Sequence, residues 1–360
     1  MAHRTIIPFG PQHPVFPEPI HLDLVLEDEK VVEAVPSLGF IHRGLELLCR
    51  KKIFQELVYV AERICGICSF IHGLGYSQGI EKIMDIEVPP RAHYLRVFWS
   101  ELSRIHSHLL WLGLAADAAG FENLFCCCWR IREQILDIIE ETSGGRVIFG
   151  VCKVGGVRRD VDDASLKAIL GRSAAIEADY DRNLAEVFKR DYTIRHRFSD
   201  VGVLSAEDVY RLGAVGPTSR GSGVNQDQRK LGYAAYPDLD FEPVTESAGD
   251  CYARCLVRVR EVNASFDLIR QVVEKIPGGP VEVKVKGFPE GEFFSRLEQP
   301  RGEVVYYLKG NGTKFLDRFR IRTPTFANIP ALLHMLKGCE LADVPVIVLS
   351  IDPCISCAER

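Results

Sequence analysis

Between Ile20 and Leu26 the sequence IHLDLVL alternates apolar with polar residues; a charged EDEK follows, and the alternation resumes in VVEAV. Period-two patterning on both sides of a polar break predicts an antiparallel hairpin with one face buried. From Leu45 to Glu141 the period becomes helical, with apolar residues three and four apart. Inside that region VPPRAHYLRVFWSELSRIHSHLLWLGLAADAAG (88–120) opens on paired prolines and closes on Gly120, the usual order of helix start and stop signals. A second helix is expected from Asn123 to Glu141, and charged helical periodicity returns at 161–197 and 250–275. VEVKVKG (281–287), GEVVYYLKG (302–310), KFLDRFRIR (314–322) and VPVIVLS (344–350) read as strands between Gly and Pro turns. The Pro-rich FGPQHPVFPEP (9–19) must be irregular. The expectation is an α+β fold in one domain over 1–360. A central bundle of long helices (44–276) is flanked by β-rich segments at 1–43 and 277–360.

Composition narrows the function classes. With 360 residues, 47% hydrophobic and 26% charged, the chain can bury a large core. A net charge of −5 argues against a nucleic-acid partner, which calls for a basic field. No charged start followed by an apolar run marks a signal peptide, and no apolar stretch reaches the roughly 18 residues of a membrane span. The nearest candidate, LLWLGLAADAAGF (109–121), is short and carries Asp117. Membrane association is therefore expected to run through partner subunits.

Twelve cysteines are many for such a chain. A disulfide framework belongs to small, secreted, core-poor domains, so these thiols are expected to be reduced. The CCC at 126–128 reads as small buried apolar residues. Two Cys-x-x-Cys pairs stand apart: Cys65 and Cys68 in AERICGICSFIHG, and Cys354 and Cys357 in IDPCISCAER. Only the fold can bring pairs so distant together, and four converging thiolates suit a soft metal. Spacing alone leaves three readings open: a structural four-cysteine zinc site, a [4Fe–4S] cluster, or a catalytic metal.

The residues around the pairs are more selective. RICGICSFIH and DPCISC resemble the two metal-binding signatures of the large subunit of nickel–iron hydrogenases. FGPQHP, HRGLE, VPPRAHYLRVFWSELSRI, GPTSRGSGV, DCYARC and RTPTFANIPAL are similar to the quinone-site 49-kDa subunit of respiratory complex I, which lacks the four cysteines. A chain carrying both patterns resembles the energy-converting, membrane-bound hydrogenases of the Ech and carbon-monoxide-linked types. The resemblance implies that Cys65 and Cys354 are terminal ligands to nickel and that Cys68 and Cys357 bridge nickel to iron. The iron would carry two cyanides and one carbon monoxide, Ni-Fe(CN)2CO. In that family the large subunit commonly ends just past the second motif, either after processing or by never having an extension, and Arg360 falls at that position.

Splitting dihydrogen heterolytically needs an electrophile for the hydride and a base for the proton. By the same resemblance, Glu18 stands where the relay glutamate lies beside Cys354. Arg301, in QPRGEV, would overhang the open metal position, with Asp352 and Asp117 as its carboxylate partners. Thr323, Pro324 and Thr325 would line one cyanide, and Pro300 with Arg301 the other. His72 could donate to a bridging sulfur. Glu46, in HRGLE, matches a carboxylate that holds a magnesium (Mg2+) or iron (Fe2+) ion near the C-terminus; Arg360 replaces the usual terminal histidine, and a guanidinium could pair with Glu46 directly. For each second-sphere residue the competing assignment is an ordinary loop, turn or core side chain.

Implied partners are a hydrogenase small subunit with a [4Fe–4S] cluster, a polyferredoxin-like subunit, ferredoxin, and membrane-integral ion-translocating subunits at the cytoplasmic face of the membrane. Dihydrogen and protons would be the substrates. The rival reading is a non-catalytic, complex-I-like connecting or quinone-site subunit with a structural four-cysteine zinc site.

Overall fold

The computed structural model describes residues 4–13 and 18–360. Residues 14–17 of the Pro-rich stretch lie outside them. Strands β1 (Arg4–Phe9), β2 (His21–Glu27) and β3 (Lys30–Ser37) form an antiparallel sheet in that order. The hairpin expected from the alternation is β2–β3. Leu22, Leu24 and Leu26 are buried while His21, Asp23 and Val25 take the opposite face, as a period-two strand with one covered side requires.

Four helices follow: α1 (Leu57–Glu62), α2 (Ser69–Ile83), α3 (Pro90–Ala118) and α4 (Glu122–Ser143). With 29 residues, α3 spans about 43 Å. Pro90 sits in its first turn, and the helix beyond it is buried on nearly every side because α2, α4 and α10 (Cys251–Lys275) surround it. Two-residue strands β4 (Cys152–Lys153) and β5 (Gly156–Val157) lead to α5 (Asp163–Tyr180). Short helices α6 (Glu186–Arg190), α7 (Tyr192–Phe198), α8 (Ala206–Leu212) and α9 (Pro217–Arg220) then bring the chain to α10. A second antiparallel sheet, β6 (Glu290–Gln299), β7 (Gly302–Asn311) and β8 (Leu316–Arg322), lies on α2. Gly75 and Gly79 permit that contact: a Cβ would fall 2.9 Å from the Tyr306 ring at the first and 2.5 Å from Leu308 Cδ1 at the second. The chain closes with α11 (Pro324–Leu336), α12 (Val344–Ser350) and α13 (Ile355–Glu359). One continuous apolar core joins these layers, in a mixed helix-and-sheet architecture.

Four local expectations are corrected. VPVIVLS is helix α12, not a strand; its residues are almost all buried, and a short run buried all round carries no period. Pro345 in its first turn was the overlooked helix-start signal. VEVKVKG keeps its alternation of half-buried and exposed residues, but among the described residues its ladder partner is the two-residue β5 alone, and it makes one bridge there, Gly156 to Glu282. The segment 277–360 is β-rich only as far as Arg322 and helical beyond it. Of the CCC cysteines, Cys128 is buried against the core, Cys127 is half-buried and Cys126 is exposed, because successive residues of α4 point 100° apart.

Candidate metal centre

The turn between α1 and α2 carries the first cysteine pair, and Cys68 is the N-cap of α2. The second pair begins at Cys354, the N-cap of α13, after Asp352 has turned the chain with a left-handed φ of 55°. Cys65 Sγ and Cys354 Sγ lie 3.2 Å apart, and the sulfurs of Cys65, Cys68 and Cys357 are all within 4.8 Å of one another. All four are buried and none forms a disulfide.

Two side chains, Arg43 on the strap before α1 and Glu359 at the end of α13, hold the motifs together. Arg43 Nη2 donates to Ile64 O at 2.8 Å and to Ser356 O at 3.1 Å, so one guanidinium ties the residue before Cys65 to the residue before Cys357. Glu359 Oε2 accepts from Ile41 N at 2.6 Å, anchoring α13 to the same strap. Neither residue was expected from the sequence. HRGLE had drawn attention to its glutamate, while the arginine one turn earlier serves the thiols more directly.

Ionisation within this cluster is uneven. Hydrogen bonds from the Cys354, Cys357 and Cys68 thiols hold Cys65 well below the usual thiol range, against burial. Cys68 is pulled down by Cys357, but donation to Cys65 and burial push it up. Cys354 is likewise lowered by Cys357 and raised further by Cys65 and burial; burial pushes Cys357 up first of all. The protein alone supports one thiolate among four sulfurs. Four ionised sulfurs require a cation between them, and sulfur donors in a water-poor pocket select a soft one. The donor set fits a thiolate-bound transition metal.

Arg301 is in the turn joining β6 to β7. Its Nη1 donates to Cys68 Sγ at 3.1 Å, Nη2 pairs with Asp352 Oδ1 at 3.0 Å, and Nε donates to Asp352 O at 3.0 Å. Asp117, the other expected partner, is corrected: it is exposed and takes no part in this pair. Eleven residues return it to the His106 face of α3, but about 16 Å further along, where the helix has left the core. Pro300 is buried beside Arg301.

Glu18 reaches the cluster from the N-terminal side. Its Oε1 lies 3.9 Å from Cys354 Sγ and accepts from Ser356 Oγ at 2.6 Å. Its Oε2 accepts from the backbone N–H groups of Ile355 and Ser356. His72 Nε2 is 3.4 Å from Cys357 Sγ, and its Nδ1 is 2.5 Å from the hydroxyl of Tyr306, a residue the sequence did not single out. Burial drives the His72 pKa down to about 4, so the ring is neutral. Thr325 Oγ1 accepts from Cys354 N at 3.0 Å, which leaves its own proton to donate. Thr323 Oγ1 spends its proton on Cys357 O at 3.0 Å; Pro324 opens α11 between them.

Glu46 stands apart. Its carboxylate accepts from Ile321 N at 2.9 Å, Arg320 Nη1 at 2.8 Å and Arg360 Nε at 3.1 Å. Burial raises its pKa, but the Ile321 N–H and the two guanidinium groups outweigh burial and leave it below the ordinary carboxylate value. With both oxygens taken and two cations beside it, Glu46 does not fit a divalent ion.

These features define a chain whose helical core and C-terminal segment jointly build a four-thiol metal pocket under an arginine. Residues 43–114, which include the first pair, match the nickel-dependent hydrogenase family. Residues 119–288 and 284–360, the latter including the second pair, match the family described as the 49-kDa subunit of respiratory-chain NADH dehydrogenase. The membrane-bound hydrogenase subunit alpha of Pyrococcus furiosus is 38% identical over 98% of this chain and 87% of its own length. The carbon monoxide-induced hydrogenase of Rhodospirillum rubrum is 38% identical over 98% and 99% respectively. A subunit of the F(420)H(2) dehydrogenase of Methanosarcina mazei is 36% identical over 100% and 98%. The chain belongs to the family that joins the large subunits of membrane-bound nickel–iron hydrogenases to the 49-kDa subunit of complex I. No helix among the described residues is long and apolar enough to cross a membrane.

Proposed function

We propose that this chain is the catalytic large subunit of an energy-converting nickel–iron hydrogenase, interconverting dihydrogen with protons and electrons. The observation that supports it best is the meeting of four free, buried thiols from opposite ends of the sequence under the Arg301 guanidinium. When bound, a nickel–iron centre with two cyanides and one carbon monoxide supplies the electrophile against which dihydrogen is split. Cys65 and Cys354 would hold nickel, and Cys68 and Cys357 would be shared with iron.

The protein's own groups have separable tasks. Arg301, fixed by Asp352, sets a positive charge over the sulfur of Cys68 in a site closed to water, where such a charge counts most. Glu18 takes the proton released at the Cys354 sulfur; Oε1 is the receiving atom, and the Ser356 hydroxyl holds it in place. The Tyr306 hydroxyl donates to His72 Nδ1, which fixes the proton on Nε2, facing Cys357. Thr325 and Pro300 would wall the diatomic ligands. Electrons would leave through a small subunit with a [4Fe–4S] cluster and a polyferredoxin-like subunit to ferredoxin. Membrane subunits at the cytoplasmic face would couple this flow to ion translocation.

The family match over 119–360 also supports a second reading, a connecting or quinone-site subunit with a four-cysteine zinc site. Infrared spectroscopy and metal analysis of the purified complex separate the two. Hydrogenase predicts nickel, iron and the stretching bands of iron-bound cyanide and carbon monoxide. One zinc per chain and no such bands would establish the rival.

A further inference from the structure

Behind the Pro300–Arg301 turn lies a second buried polar cluster that the metal pocket does not use. Arg104 on α3 donates to Glu298 O at 3.0 Å and to Gln299 O at 3.3 Å, gripping the backbone just before Pro300. Arg220, at the end of α9, pairs through Nη1 with Glu298 Oε1 at 2.7 Å and through Nη2 with Glu261 at 2.7 Å. The start of α9 presses the other side of the turn. Gly216, at φ 69°, has no room for a side chain, since a Cβ would fall 2.4 Å from Arg301 O and from Gly302 Cα. The turn that aims Arg301 at Cys68 is therefore pinched between two arginine-bearing helices.

The charges of this cluster do not balance. Arg104, Arg220 and Arg229 face Glu101, Asp227, Glu261 and Glu298, all buried. His108 adds no charge: burial lowers its pKa, and its Nδ1 has no acceptor to receive a second proton. Arg258, on the same helix as Glu261, turns instead to Ser350 O and the Trp111 ring. Fully ionised, the cluster would hold one unmatched negative charge away from water, which is costly.

Donor counts say where a proton goes. Glu101 receives Arg104, Arg229, the Ser265 hydroxyl and the Tyr236 hydroxyl. Asp227 receives the Arg229 side chain through two nitrogens and the Arg229 N–H. Glu261 receives Arg220 and His108. The Glu298 carboxylate has one guanidinium nitrogen and the Gln228 N–H at 3.1 Å, and it is the least supported anion; its own N–H meets the Tyr233 hydroxyl at 3.3 Å. Burial and the neighbouring Asp227 charge raise Glu298 to about 7, whereas Arg229 and Arg220 overcome burial to hold Asp227 at about 2.

We propose that Glu298 carries the exchangeable proton of this cluster and that its charge state, passed through Arg220 and Arg104, sets how firmly the Pro300–Arg301 turn is held over the thiols. Glu298 is thus a positioning residue, not one that touches substrate. The consequence for the metal pocket rests on the hydrogenase reading; the proton and the turn do not.

The test compares the purified complex with its Glu298→Gln variant from about pH 5.5 to about 8.5. Infrared spectroscopy should show a protonated-carboxyl band that fades as pH rises through neutrality and is missing in the variant. Amide exchange in residues 299–304, taken relative to the variant at each pH so that intrinsic rates cancel, should quicken about tenfold over the same range. The iron-bound cyanide bands should shift with the same midpoint in the wild type and stay at the low-pH position in the variant. Absence of the carboxyl band at low pH, or its persistence in the variant, overturns the proton assignment. A carboxyl band that titrates while turn exchange stays constant overturns the link to the turn. If the cyanide bands are absent altogether, the hydrogenase reading fails, while the other two readouts still decide this proposal.

Discussion

Two buried polar clusters flank the Pro300–Arg301 turn, and they differ in how their charge is matched. In the ion cluster around Arg220 the protein supplies nearly all its own counter-charge, three guanidinium groups against four carboxylates. In the thiol cluster four sulfurs face Arg301, whose charge is already shared with Asp352, and the thiols donate to one another, with Glu18 the one carboxylate described beside them. A polar cluster that closes on itself builds scaffold. One that lacks a cation and is made of soft donors is shaped for an added metal.

The sharpest way to break this contrast is to remove a thiol. Cys65→Ala or Cys354→Ala should abolish nickel retention, measured by metal analysis of the purified complex, while far-ultraviolet circular dichroism stays unchanged. Full nickel content in either variant would end the metal reading. The ion cluster should respond in the opposite sense. Arg220→Ala leaves Glu261 a buried anion with only the neutral His108 beside it and takes the guanidinium from Glu298, so the chain should lose about 3–5 kcal/mol of stability whether or not metal is present. An equal loss confined to the metal-loaded protein would mean that the two clusters are one unit.

Between these extremes stands Arg301→Lys. Lysine keeps the charge but has no fork to span Cys68 and Asp352 together, so metal content should persist while hydrogen turnover falls about a hundredfold. Glu18→Gln should also keep the metals and suppress H/D exchange, because Gln cannot receive the proton that leaves Cys354. Unimpaired exchange in that variant would move the proton route elsewhere.

How much of this was legible in the sequence depended on whether a residue's role lay in its own neighbourhood. The two cysteine pairs, the β2–β3 alternation and the long α3 announce themselves, because spacing and period are local properties. Arg301 and Glu18 could be placed only through resemblance, since neither QPRGEV nor FPEPIHL has a pattern tied to a metal. Arg43, Tyr306 and the Arg220 cluster stayed hidden. Each acts on groups hundreds of positions away or on partners scattered over four elements, and a buried arginine looks like any other in sequence. Asp117 failed for the reverse reason: its helical spacing was right, but the end of a helix is where the covering core gives out.

The smallest expected effect probes the edge of the thiol cluster, at Tyr306. Its ring packs against Gly75, and among the described residues its hydroxyl meets His72 Nδ1 alone. Tyr306→Phe keeps the ring and removes one oxygen, so the sheet should stay in register. A buried imidazole nitrogen then loses its donor, at about 1–2 kcal/mol. The ring is no longer forced to carry its proton on Nε2, and the hydrogen bond toward Cys357 weakens. The expected signature is a small shift of the iron-bound carbon monoxide and cyanide bands with nickel content unchanged. A shift as large as that of Arg301→Lys would place His72 among the groups that set the electronics of the pocket; bands identical to wild type would show that the His72 tautomer is fixed by Cys357 itself.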